Sequence, residues 1–247
     1  MSGRLVGRTA LIVGEASGIL CAQALRFAEE GADLVVVDWR TGIAPSILPG
    51  AGDATLGETV QQVEEMRRQI IVVEANPRSQ GSLDAAVTRG VEALTQFDMV
   101  CVTGGLTTAG KTMELPMEDW QEMLDLHLSA VWKTTKASIP HIIESGRGGS
   151  LVLTNCGMPG LGHVAVANHG LVGLMRSLAK ELSPHRIRIN TVHAENLGAY
   201  SIPSRDPQGT RLLGQRDVAN ACLFLSSDES RYISGVTLSI DAGCEAK

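Results

Sequence analysis

Short runs rich in β-branched residues recur along the chain, separated by segments with helical periodicity. A short apolar run bounded by turn residues is typical of a buried strand. The runs predict seven strands, at residues 9–13, 33–37, 70–73, 99–102, 150–154, 187–192 and 236–240.

Amphipathic patterns with the helical period of about 3.6 residues lie between the strands. They predict helices at residues 18–30, 83–95, 118 towards 140, 171–182 and 218–226, while the Gly/Pro-rich stretch 40–57 predicts a loop. Parallel strands need crossover connections, so this alternation predicts an α/β fold. We expect a Rossmann-like, doubly wound, seven-stranded parallel sheet in a three-layer α/β/α arrangement, with residues 1–247 forming one domain.

Composition narrows the possible partners and compartment. The net charge of −6 argues against nucleic-acid binding. Apolar runs are too short to span a bilayer, and the first strand begins too early for a signal peptide. Five widely spaced cysteines form no zinc pattern. We therefore expect a cytoplasmic protein with no metal and no membrane partner.

The turn after the first predicted strand has the spacing of a phosphate-binding loop. Gly14 and Gly18 allow the backbone to turn sharply and approach a phosphate at a helix N-terminus, and Ser17 and Ile19 belong to the same turn. Asp38 ends the second strand, where a carboxylate can accept both hydroxyls of an adenosine ribose and would repel a 2′-phosphate. Together they indicate either a dinucleotide site that disfavours NADP or a turn with a purely structural role.

Ordered motifs along nearly the whole chain resemble the short-chain dehydrogenase/reductase family. The segments 144–154 and 169–176 look closest to bacterial NAD-dependent members linked to mycofactocin. The matching motifs are Gly14-x-x-x-Gly18-Ile19, Asp38, Gly104-Gly105, Trp120 with Leu124-Asp125, Gly149-Ser150-Leu151-Val152, Gly173 to Ala179, Ile187-Arg188-Ile189-Asn190, and Ser234-Gly235-Val236-Thr237 with Asp241-Ala242-Gly243.

Three departures from the family pattern fall in the cofactor site. Leu20 replaces the third glycine of the turn, so its side chain is expected to push into the helix–strand space or the cofactor's space. Glu15 adds a negative charge beside the pyrophosphate. Asn76-Pro77 replaces the Asp-Val pair that grips adenine, and proline has no N–H to donate. We therefore expect NAD binding to be absent or weak.

All four catalytic positions of the family also differ. The resemblance places the tyrosine position at Val164 and the lysine position at Asn168, the serine position at Cys156 and the asparagine position at His127. Valine transfers no proton, and asparagine carries no charge that could shift a neighbouring pKa. The loops at 156–164 and 195–213 are also shorter than is usual in the family.

Three interpretations follow from these departures. The preferred one is a non-catalytic subunit that assembles with an intact dehydrogenase of the family. The second is a non-redox isomerase, cyclase or lyase that uses His127 and Cys156 as catalytic groups. The third is a residual NAD-dependent oxidoreductase with an unrecognised proton donor.

The resemblance also implies assembly into homo- or hetero-oligomers. The family's interfaces form around the helices predicted at 118–140 and 171–182. Leu171, Leu174, Leu178 and Leu182 lie on one stripe of the latter helix, and we expect either the chain's own sheet or a neighbouring subunit to cover it.

Overall fold

The predicted parallel sheet forms the centre of the molecule. A computed structural model describes residues 3–16, 18–39, 55–104, 110–156, 161–194 and 213–241, with only the backbone described at Cys156. Within these ranges the strands pair in parallel, as predicted, and their order is β3-β2-β1-β4-β5-β6-β7. The strands are β1 (Thr9–Gly14), β2 (Asp33–Asp38), β3 (Ile70–Glu74), β4 (Met99–Thr103), β5 (Gly149–Cys156), β6 (Ile187–Ala194) and β7 (Thr237–Ile240).

Helices cover both faces of the sheet. They are α1 (Gly18–Glu29), α2 (Leu56–Glu65), α3 (Gln80–Leu94), α4 (Met117–Leu124), α5 (Ala130–Ser145), α6 (Gly162–Leu182) and α7 (Gln215–Ser226), with a π-helical segment at Asp125–Ser129 and 3₁₀ turns at Ser183–His185 and Asp228–Ser230. The three-layer prediction is confirmed.

The helix α2 follows the stretch that the sequence predicted as a loop, and it was not anticipated. Thr55 caps it by accepting the N–H of Glu58, and the Glu58 carboxylate accepts the N–H of Thr55 in return. This capping box is readable in the sequence as Thr55-x-x-Glu58 and could have revealed the helix start.

The long helix predicted from residue 118 is interrupted. The π-helical segment Asp125–Ser129 divides it into α4 and α5, and α5 continues through Pro140 to Ser145. One extra residue per turn re-aims the side chains of such a segment, and π-helical turns often lie at functional sites.

Two apolar layers pack against the sheet. On one face Ile12, Val36 and Val152 pack with residues of α1 and α7. On the other, Val35 and Leu153 pack with residues of α3, α5 and α6. Buried on both sides, the central strands are almost continuously apolar, as parallel strands usually are.

The leucine stripe of α6 is covered by the chain itself. Leu171 and Leu182 are about 1% exposed, and Leu174 and Leu178 pack partly buried against the same core. We expected either the chain's own sheet or a neighbouring subunit to cover this stripe, and the structure shows that the chain's own sheet covers it. Among the described residues, no helix is both long and apolar enough to cross a membrane.

Candidate functional site

The carboxyl ends of the strands bring the predicted cofactor residues to one edge of the sheet. Gly14 ends β1 and pairs in register with Asp38, which ends β2. Gly104 directly follows β4, the strand on the other side of β1. Ligands of open α/β sheets bind at this edge, where the strand order reverses between β1 and β4.

The turn between β1 and α1 requires its first glycine. A Cβ at Gly14 would lie 2.7 Å from the carbonyl oxygen of Thr103, too close for any side chain. Gly18 begins α1 with φ +47, a left-handed conformation that favours glycine. Ile19 is buried beneath the turn, and Ser17 lies outside the described residues.

Asp38 is buried and built into this turn. Its carboxylate accepts the main-chain N–H of Ala16 at 3.1 Å, and its own carbonyl accepts the N–H of Ala75 at 3.0 Å. The next residue, Trp39, donates its N–H to the carbonyl of Gly14 at 2.8 Å. The carboxylate is therefore fixed relative to both the phosphate turn and the end of β3.

His127 lies in the π-helical segment, against the end of β4. A Cβ at Gly104 would lie 3.0 Å from Nδ1 of His127, so the imidazole packs directly on the glycine backbone. The ring is buried, with 2% of the residue exposed. This tight approach places His127 beside the predicted cofactor edge.

Val164 and Asn168 share one face of α6. They are separated by one helical turn, and both are buried. The helix approaches the π-helical segment closely, since a Cβ at Gly170 would lie 2.9 Å from Cδ2 of Leu128. The two substituted family positions therefore lie on a helix that packs against the segment carrying His127. The side chain of Cys156 is outside the described part of the chain.

A histidine–amide pair at the ends of β5 and β6 was missed in the sequence. Asn155 and His193 are cross-strand neighbours, and Nδ1 of His193 lies 2.9 Å from Oδ1 of Asn155. An amide oxygen only accepts hydrogen bonds, so Nδ1 of His193 is the donor in this contact. The sequence feature that could have revealed the pair is His193, a titratable residue near the carboxyl end of a predicted strand.

Similar proteins identify the family. A family model described as "Enoyl-(Acyl carrier protein) reductase" matches residues 13–245. A short-chain type dehydrogenase/reductase of Mycolicibacterium smegmatis is 37% identical, with all of both chains covered. The chain is a short-chain dehydrogenase/reductase.

Two further relatives of this dehydrogenase/reductase have named activities. The (−)-trans-carveol dehydrogenase of Rhodococcus erythropolis is 37% identical, with 99% of each chain covered. The crystal structure of carveol dehydrogenase from Mycobacterium avium in complex with NAD is 34% identical, covers all of both chains and superposes with a TM-score of 0.87.

These relatives overturn two expectations. The preferred interpretation as a non-catalytic subunit is contradicted, because whole-chain relatives are named as dehydrogenases. The expectation of absent or weak NAD binding is contradicted by the relative crystallised with NAD. The error lay in treating each family position as indispensable without knowing how the surrounding structure absorbs a substitution.

Leu20 shows how one such substitution is absorbed in this dehydrogenase/reductase. Its side chain is fully buried and belongs to the core formed with Ile12 and Ala24. The helix–strand space that a glycine would leave empty is filled by leucine. Leu20 therefore occupies the helix–strand space, one of the two positions expected for it, and stabilises the packing of α1 there.

Asn76 is held within its own turn. Its Oδ1 accepts the N–H of Arg78 at 2.9 Å, and its N–H donates to Oγ of Ser82 at 3.0 Å. Such a side-chain turn stabilises the connection from β3 to α3. Pro77 is buried in this connection, so Asn76-Pro77 shapes the loop beside the adenine position.

A buried polar network lies behind the cofactor edge. Gln23 of α1 accepts a hydrogen bond from Oγ1 of Thr103 at 3.2 Å and donates to Oγ1 of Thr154 at 3.4 Å and to Sγ of Cys222 at 3.2 Å. Burial raises the pKa of the Cys222 thiol to about 11, against the opposing effect of its hydrogen bonds with Thr154 and Gln23. The network joins α1, β4, β5 and α7, and so fixes the helix that carries the phosphate turn.

Proposed function

We propose that this chain is an NAD-dependent oxidoreductase that interconverts secondary alcohols and ketones. The observation that carries the proposal is the buried Asp38 carboxylate, held at the end of β2 by the N–H of Ala16. A carboxylate at this position suits the two free hydroxyls of the NAD ribose and repels the extra phosphate of NADP. The named activities and the bound NAD of the relatives support the same assignment.

The residues present fit the cofactor. We propose that Gly14, Ser17, Gly18 and Ile19 receive the pyrophosphate at the N-terminus of α1, and that Gly104 lies beneath the nicotinamide side of the cleft. The close approach of Gly14 to the Thr103 carbonyl supports this, because it leaves the turn free of side-chain bulk. Bound NAD supplies the hydride acceptor, and the protein supplies binding, orientation and proton transfer.

Proton transfer needs a titratable group in place of the family tyrosine, because position 164 is a valine. We propose His127 for this role, with the thiol of Cys156 orienting the substrate oxygen at the serine position. In the oxidation direction, the imidazole accepts the hydroxyl proton as the carbon–hydrogen bond breaks and its electron pair leaves as hydride. Burial of His127 against Gly104 at the end of β4 supports the assignment.

His193 is a second candidate for the proton acceptor, favoured by its hydrogen bond to Asn155. A partner that fixes one ring nitrogen orients the imidazole, as in the base–orienter arrangement of many catalytic histidines. His193 is half-buried, so solvent can exchange with it.

A direct assay tests the function. The purified chain is incubated with NAD and a panel of cyclic secondary alcohols, and NADH formation is followed by absorbance. We expect turnover with NAD that exceeds turnover with NADP at least tenfold, a difference of about 1.4 kcal/mol. Tight NAD binding without turnover of any alcohol or ketone would support the proposed cofactor site but contradict the proposed reaction.

Assembly and location remain proposals. We propose that residues 1–247 act as one domain that forms homo-oligomers through exposed apolar side chains of α5 and α6. Trp132 is 46% exposed and Val166 is 48% exposed, which supports a contact on these helices. Pairing with a second, intact dehydrogenase is not retained, because it depended on the non-catalytic interpretation. Cys21, Cys101 and Cys222 are buried and form no disulfide, which supports a reducing, cytoplasmic location.

A further inference from the structure

A cationic cavity lies at the amino ends of the central strands, opposite the cofactor edge. Its volume is about 380 Å³, and it is lined at its base by Met99, Gly149, Ser150 and Ile187, at the starts of β4, β5 and β6. Cavities that hold small molecules begin at about this volume. The predicted cofactor residues lie at the carboxyl ends of the parallel strands. This cavity lies at their amino ends and is therefore a separate site.

Positive charge predominates among the lining residues. Asp98 and Asp228 are the lining carboxylates, against six lining arginines, Arg4, Arg8, Arg147, Arg186, Arg188 and Arg231. Arg4 forms ion pairs with Glu30 and Glu229, which do not line the cavity. Arginines still outnumber carboxylates among the lining residues when Arg4 is left out. Such an excess is notable in a chain whose net charge is −6.

One carboxylate is shared between two guanidinium groups. Oδ1 of Asp98 lies 3.1 Å from Nη1 of Arg8 and 2.9 Å from Nη2 of Arg147, while Oδ2 accepts the N–H of Thr9 at 2.8 Å. Asp98 is about 4% exposed. Its single charge cannot balance both arginines, and the other contact of Arg8 is a 3.6 Å approach to the largely exposed Asp228.

Two further arginines have no carboxylate partner among the described residues. Arg186 donates to the carbonyl of Gly146 and is held in a left-handed conformation with φ 59. Arg231 stacks over the ring of Tyr232, with 5.4 Å between its guanidinium carbon and the ring centroid. Arg188 differs, since it donates to the carbonyls of Leu225, Ser227 and Ile233 and so anchors the end of α7.

We propose that this cavity binds a small phosphate-bearing anion. Guanidinium groups match the geometry of phosphate oxygens and form paired, charge-assisted hydrogen bonds with them. Ser183 and Ser234 also line the cavity, and their hydroxyl groups can donate to the same oxygens. A phosphate group supplies the negative charge that Asp98 alone does not provide.

Calorimetric titration of the full chain with inorganic pyrophosphate tests the proposal. Saturating NADH is present, so that the cofactor turn cannot account for the binding. We expect one site per chain, and an affinity at least tenfold lower in the Arg147→Gln/Arg231→Gln double variant. Both arginines are exposed enough for the variant to fold, which circular dichroism checks.

Arg89→Gln is the matched control, because Arg89 is exposed on α3 and does not line the cavity. It should bind pyrophosphate like the original chain. Two results would each overturn the proposal: no binding at millimolar pyrophosphate in the presence of NADH, or binding that the double variant leaves unchanged. Citrate is titrated in parallel, and citrate binding as tight as pyrophosphate binding would reject the preference for phosphate.

Discussion

The carboxylate of Asp38 accepts the main-chain N–H of Ala16 at 3.1 Å, which links the end of β2 to the turn between β1 and α1. In the proposed cofactor site, the same side chain would contact the ribose and fix the turn between β1 and α1. A substitution can test the charge of Asp38 separately from its hydrogen bond, because asparagine is neutral but keeps an oxygen that accepts the N–H of Ala16.

Asp38→Asn should change cofactor preference without unfolding the turn. We expect NADH affinity to fall about tenfold and the ratio of NADPH to NADH affinity to rise at least tenfold, since the repelling charge is gone. Calorimetric titration with both cofactors measures the change. Asp33→Asn, on the same strand, serves as the control. An unchanged ratio would show that Asp38 does not contact the ribose.

Leu20→Ala should lower stability, because the leucine is fully buried in the core beneath α1. We expect a loss of about 2–4 kcal/mol in the free energy of unfolding, the usual cost of a cavity in a packed core. Urea denaturation measures it. Leu25→Ala, on the same helix and only partly buried, should cost less. A stable variant with much tighter NADH binding would restore the earlier view that Leu20 obstructs the cofactor.

His127→Gln and His193→Gln should separate the two candidate proton acceptors. The variant at the true acceptor is expected to lose about 100-fold or more in kcat with NADH affinity unchanged, as is usual for general-base removal. His141→Gln, on α5 beside Glu144, is the control. Full activity in both variants would reject histidine catalysis.

Glu30 gives the fold a pH-dependent contribution. Burial raises the pKa of its carboxyl, but the N–H of Arg4 and the guanidinium of Arg26 together lower the pKa below its ordinary value. A depressed carboxyl pKa stabilises the fold above the unfolded-state pKa, and that stability is lost as pH falls through the folded-state pKa. Glu30→Gln should cost about 1–2 kcal/mol at pH 7 and nothing in strong acid.

Denaturation with urea across pH measures this contribution. Glu64→Gln is the matched control, since Glu64 lies exposed on α2. A loss of stability in Glu30→Gln that stays the same down to strong acid would show that the cost is one of packing and not of charge.

The buried thiols should resist alkylation in the folded protein. Burial raises the pKa of Cys101 well above its ordinary value and that of Cys222 to about 11, so neither forms much thiolate at pH 8. We expect iodoacetamide to leave Cys21, Cys101 and Cys222 unmodified in the native state and to modify them in urea. Peptide mass analysis assigns the sites, and rapid native labelling of Cys222 would contradict the packing of the Gln23 network.

The sequence alone determined the fold and the cofactor edge. Strand runs and helical periodicity are local patterns, and parallel strands joined by right-handed crossovers leave few topologies, so the strand order and the meeting of Gly14, Asp38 and Gly104 were predictable. The capping box at Thr55 was equally local, and its helix was missed by attending to the Gly/Pro-rich stretch before it.

Tertiary structure alone decided what the substitutions do. Whether Leu20 blocks a ligand or fills a core depends on how closely α1 approaches β1, a distance that no local pattern encodes. The same holds for the contact between Asn155 and His193 on separate strands, and for the six arginines, from four separate parts of the chain, that line one cavity. Such contacts arise from side-chain packing between elements distant in the chain, because shape and charge there are set by neighbours that the sequence does not place.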